Sequence, residues 1–143
     1  CHGRVLGGEF MESQRRLLRM LGLEVVEMND NLGHGLCCGV AAGCRDYSLL
    51  DLARCGIRGL AAIDRTKADE AGVYCTGCLL TLGIFRLASP FGKRLRHIVE
   101  YARESIGETV ERTNTRKAMR MALGIGLNAL PRYFDPRRFK LDE

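Results

Sequence analysis

The sequence predicts an α/β fold with an open, mostly parallel sheet and helices on its faces, and three observations predict it. Segments of helical periodicity alternate with short apolar runs, the order that a strand–helix–strand chain requires. Two of those runs lead into cysteine-bearing loops, each followed by more helical pattern. The cysteines would then gather at the carboxyl edge of the sheet, where open parallel sheets bind their ligands. The bulk agrees, because 143 residues with 46% hydrophobic and 27% charged side chains suffice to bury the core of one soluble domain without covalent staples.

Over residues 9–21, Phe10, Met11, Leu17, Leu18 and Leu21 recur at near-helical spacing and leave Arg15, Arg16 and Arg19 for a wet face; Gly22 stops this helix. Residues 23–28 read as a short strand with Val25 and Val26 buried, closed by the turn-forming Asn29, Asp30 and Asn31. Residues 33–43 carry four glycines around an adjacent cysteine pair. They are too flexible for a helix interior and too small-sided for a core strand, hence a loop suited to close approach. From 47 to 69 the apolar positions Leu49, Leu50, Leu52, Ala53, Ile57, Leu60, Ala61 and Ile63 suit a long helix that Gly56 and Gly59 bend or divide. Val73 and Tyr74 form a brief strand running into Cys75, and residues 79–87 the helix after it. Residues 97–106 give an amphipathic helix ended by Gly107, and residues 116–130 mix basic and apolar positions at roughly helical spacing up to Pro131. There is no internal repeat and no low-complexity linker.

The net charge of +5 is uneven: residues 1–111 hold 14 Lys/Arg against 14 Asp/Glu, and residues 112–143 hold 8 against 3. A nucleic-acid-binding core normally carries its basic stripe across the domain, often interleaved with aromatics, so this pattern argues against that class and leaves the tail to touch something acidic. No apolar run approaches the roughly 20 residues of a membrane span, and no N-terminal pattern reads as a signal peptide, so a cytoplasmic protein is expected. The basic tail, from Arg112 onward, leaves open an amphipathic helix lying on the inner face of a membrane or against a partner subunit. A ligand-like residue at position 1, with no strand before it to hold it, reads as the start of a fragment with more chain upstream.

Seven cysteines, with one adjacent pair and one C-x-x-C, do not resemble a secreted disulfide framework; metal or redox work fits better. Cys1 is followed by 35 residues, then Cys37 and Cys38, then 36 residues, then Cys75-Thr76-Gly77-Cys78. C-x-x-C at a turn and helix N-terminus directs two thiolates at one metal, and the local field favours the ionised sulfur. Neighbouring residues on an extended chain point to opposite faces, so only a tight glycine-rich turn aims a vicinal pair inward, and Gly35, Gly39 and Gly43 supply it. Cys55 falls within a helix and reads as core, and Cys44 as a spare near the loop. His2 and His34 lie near enough in sequence to donate to a sulfur or to be plain loop residues; His97 reads as a structural helix start.

The opening Cys1-His2-Gly3-Arg4, Leu36-Cys37-Cys38-Gly39 and Val73-Tyr74-Cys75-Thr76-Gly77-Cys78-Leu79, with a closing helix at His97-Ile98-Val99-Glu100, resemble the cysteine-rich CCG domain of the heterodisulfide reductase and glycolate oxidase iron-sulfur subunit family. The resemblance covers residues 1–107 and leaves 108–143 as a basic helical tail. It implies a Rossmann-like half-domain, one of two tandem copies, and an oxidoreductase component for electron transfer or disulfide reduction. It further implies a non-cubane [4Fe-4S] cluster on Cys1, Cys37, Cys38, Cys75 and Cys78, and an ordinary cubane would indeed have no iron left for a fifth thiolate. Ferredoxin-like or flavin-containing subunits would be its partners, and a second CCG copy would lie upstream or on another subunit. The competing reading is a structural zinc site in an interaction module without redox turnover.

Overall fold

A computed structural model describes residues 2–40, 49–89, 92–111 and 113–133. Helices α1 (His2–Leu6) and α2 (Gly8–Met20) come first, then a single 3-10 turn (Leu32–His34) and the long helix α3 (Leu49–Asp64). Strand β1 (Glu70–Val73), helix α4 (Thr76–Arg86) and strand β2 (Arg94–His97) form one βαβ unit, followed by α5 (Ile98–Ser105) and α6 (Asn114–Tyr133). The strands pair in parallel, Glu70 opposite Arg94 and Val73 opposite His97, with α4 as the crossover that a parallel pair requires.

The glycine stop of α2 is built as expected. Gly22 takes a φ of +78°, open to it because it lacks a Cβ, and the amides of Gly22 and Leu23 close onto the carbonyls of Arg19 and Leu18 at 3.0 and 3.1 Å. The same pair of bonds ends α5 at Gly107, onto Glu104 and Arg103. His97 starts α5 structurally: its Nδ1 accepts from the Val99 amide at 3.3 Å, and Glu100 accepts from the His97 amide.

Four expectations are corrected. Residues 23–28 are not a strand, because a strand needs a neighbour for its amides and carbonyls and among the described residues β1 and β2 pair only with each other. The segment is fastened to α2 by the two-pronged Arg15–Glu27 ion pair instead. The described sheet is accordingly a small two-stranded one. Gly56 and Gly59 do not divide α3; a Cβ on Gly56 would fall 2.2 Å from the Phe85 ring, so the glycine lets α4 lie close. Finally, α6 runs past Pro131 to Tyr133, a proline forfeiting one ladder bond without of itself ending a helix.

The core sits where α3, α4 and the sheet meet. Leu60, Ile63, Leu82 and Leu95 are buried there together with Cys38, and Met28, Val73, Leu79 and Phe85 pack against them. Two polar clamps border it. Arg86 forks onto Asp64 at 2.7 and 2.9 Å while the Lys93 amide takes the same carboxylate, locking the ends of α3 and α4 to the start of β2. Arg96, 6% exposed, lies 4.1 Å from the centre of the Tyr101 ring and is ion-paired with Glu70, Glu100 and Glu104.

Candidate functional site

Two loops bring thiols to one edge of this core. In the first, Gly39 has a φ of +101°, and a Cβ there would lie 2.6 Å from the carbonyl oxygen of Leu52. Only glycine lets the Cys37-Cys38 turn settle onto α3 in that conformation. The turn separates its two sulfurs. Cys37 stays half-buried and its Sγ accepts from the Gly39 amide at 3.3 Å, whereas Cys38 is buried in the core cluster.

The second loop follows β1. Cys75 is the extended residue capping α4, with φ −105° and ψ 121°, so its side chain lies at the positive end of that helix; Cys78 falls in the first turn. A Cβ on Gly77 would meet the Cys75 sulfur at 3.7 Å, an ordinary contact distance. Upstream, the Tyr74 hydroxyl accepts from the amide of buried Gly3 at 3.0 Å, and the Phe10 ring meets Tyr74 edge-on at 5.4 Å. A Cβ on Gly3 would collide with that hydroxyl at 2.4 Å. The backbone of α1 is thereby tied to the residue before Cys75.

The loops meet through sulfur. Cys38 is pulled down to about 6 by a hydrogen bond with Cys78, against the opposing effect of burial, and the amides of Val40 and Cys38 itself add to the lowering. Cys78 is pushed up by the same bond, then by burial and by the charges of Cys38 and Cys75. The contact thus favours ionisation of one thiol of the pair and disfavours ionisation of both.

Of the residues marked by the sequence, Cys38, Cys75 and Cys78 interact through their sulfurs, and Cys37 adjoins them on the same turn. Cys1 and Cys44 lie outside the described residues. His34 is exposed on its 3-10 turn, and Cys55 is half-buried within α3. Among the described residues no three His, Cys, Asp or Glu side chains are grouped as a metal site. The donor set nonetheless has the right chemistry for iron or zinc, since four thiols from two loops supply soft sulfur ligands and one is already disposed to ionise. Sequence reasoning missed the walls of the site: the Leu52 carbonyl under Gly39, the Val40 amide over Cys38, and the Tyr74 hydroxyl that seats Gly3. Only Gly39 and Gly3 hint at those contacts, by lacking a side chain.

A family model described as CCG, cysteine-rich domain, matches residues 1–83, a span that includes all five cysteines of the spaced motif. No curated protein and no solved structure matches the chain.

Proposed function

This chain belongs to the CCG cysteine-rich domain family, and we propose that it is the iron-sulfur part of an oxidoreductase, with Cys1, Cys37, Cys38, Cys75 and Cys78 as ligands of a non-cubane [4Fe-4S] cluster. One observation carries the reading: thiols from two loops separated by 36 residues of sequence come together at the edge of the core, Cys38 buried in it and Cys78 packed against it. Buried free cysteines acting as small apolar residues have no need of that contact. Five thiolates also exceed the four that a cubane accepts.

A bound cluster supplies reversible one-electron transfer. The chain's own residues do the rest. The amide of Gly39 donates to the Cys37 sulfur and that of Val40 lowers Cys38, so both would stabilise a more negative sulfur and raise the potential of whatever the thiolates hold. The N-terminus of α4 adds its partial positive charge beside Cys75. Burial of Cys38 among Leu60, Ile63, Leu82 and Leu95 keeps water from one side of the site, while half-buried Cys37 and Cys75 leave the other side reachable. That open side suits electron exchange with a flavin-containing or ferredoxin-like subunit, or attack on a disulfide substrate. We read the βαβ unit as part of a Rossmann-like sheet that places both loops at one edge.

Metal and acid-labile sulfide analysis, with a visible spectrum, on protein purified without oxygen tests this. About four irons per chain with matching sulfide is the expected result. About one zinc and no sulfide would replace the cluster by a structural zinc module.

A further inference from the structure

The second half of α6 has no place in the fold just described. At 20 residues α6 is about 30 Å long, whereas the 11 residues of α4, on which it packs most extensively, span about 16 Å. Its first half is seated: Ala118 is buried, and Asn114 bonds to Glu100 at 2.6 Å. Beyond that its large apolar side chains are exposed. Met121 and Ile125 turn to the same side as Ala118 but are 55% exposed each. Leu123 and Leu127 lie on roughly the opposite side, at about 3.6 residues per turn, and are 58% and 67% exposed. Residues 121–130 contain no charged side chain.

A helix segment with large apolar side chains on opposed sides and no charge belongs inside something. A flat lipid surface would cover one of the two opposed stripes and leave the other wet, since an interfacial helix needs a single apolar face. A groove in a protein covers both. Charge selects the kind of protein. The sequence of α6 holds four Lys/Arg and no Asp/Glu, and exposed Arg116 and Arg120 have no ion pair among the described residues. Two copies of α6 side by side would repel, while an acidic rim would be steered onto it. We propose that the second half of α6 seats in an apolar groove of a different protein whose rim is acidic, with Arg116 and Arg120 meeting the rim. The inference stands whether or not the cysteines hold iron.

The test places the photo-crosslinking residue p-benzoylphenylalanine at position 127 of the full chain, and at exposed Arg58 on α3 as the control, in cells of the source organism. One dominant adduct is expected at position 127 and none at 58, its crosslink mapping by mass spectrometry to a groove bordered by Asp and Glu. Arg116→Glu with Arg120→Glu should reduce the adduct to the level at position 58, with thermal unfolding unchanged, and changing the mapped acids to Lys should restore it. An adduct to a second copy of this chain, equal labelling at both positions, or no protein adduct together with co-flotation on phosphatidylglycerol vesicles would each overturn the proposal.

Discussion

Gly39 decides where the first pair of thiols goes, and alanine there meets two obstacles at once. Its φ of +101° is strained for any L side chain, and the added Cβ would press on the backbone oxygen of Leu52, which cannot swing aside as a side chain could. Gly39→Ala should cost roughly 1–3 kcal/mol from backbone strain alone and lower the bound metal with it. Denaturant midpoints and metal content read both; a variant unchanged in either would show that the loop relaxes freely. The cysteines differ in the same residue-by-residue way. Cys38→Ser should abolish metal binding because it removes the sulfur that Cys78 faces, while Cys55→Ser, half-buried on α3, should retain full metal content. Equal losses in the two variants would refute the assignment. Spacing alone marked Cys37, Cys38, Cys75 and Cys78, yet it could not tell that Cys38 enters the core while Cys37 stays at its edge. That division is imposed by α3 from across the fold.

Among the elements, legibility followed how local the cause was. The helix stops at Gly22 and Gly107 were readable because the bonds that form them span only a few residues. Strand β2 was not: Arg94, Arg96 and His97 look solvated in sequence, and Arg96 is buried only because Glu70, Glu100 and Glu104 come to it from β1 and α5. Burial works against the Arg96 charge, but its bonds to Glu104 and Glu70 hold the guanidinium above its ordinary value. The Tyr101 beside it is pushed up to about 12 by burial and then by Glu70. The role of Gly56 is hidden for the same reason, since Phe85 arrives from another helix. Gly56→Ala should therefore lower stability by about 1–3 kcal/mol through overpacking, and Phe85→Leu in the same chain should recover part of it. No recovery in thermal melts would mean that the two helices do not touch there. The clamp between α3 and α4 has a pH signature. Burial pushes the Asp64 carboxyl up, but Arg86 and the Lys93 amide outweigh it and hold it below the usual range. A depressed carboxylate contributes stability that is complete above its unfolded value of about 4 and is lost as pH falls through the lower folded one. Asp64→Asn leaves Arg86 buried without its counter-charge, so it should cost roughly 3–5 kcal/mol at neutral pH and flatten the acid limb of the stability profile. A limb as steep as that of the parent would place the acid sensitivity elsewhere.

At the scale of the whole molecule the site and the core are one body. None of the large described side chains is fully buried, and Cys38 sits among Leu60, Ile63, Leu82 and Leu95 rather than beside them. Cys78 draws Cys38 toward its ionised form while Cys38 lies among apolar groups, and a thiolate there costs free energy unless something neutralises it. A metal on these thiols would do so. Because the unfolded chain lacks the convergence of the two loops, binding free energy would become folding free energy. A ligand present at about a hundred times its dissociation constant adds about 2.7 kcal/mol, and for a chain of this size that amounts to a shift on the order of 5–10 °C in the unfolding midpoint. Stripping the metal with a chelator under reducing, oxygen-free conditions should lower the midpoint by that much in the parent and in Cys55→Ser. In Cys38→Ser, which has no metal to lose, chelation should change nothing, even though its starting midpoint is lower. Identical midpoints before and after stripping the parent would separate the thiols from any stabilising metal, and the packing of Cys38 and Cys78 would then be the whole of their contribution to the fold.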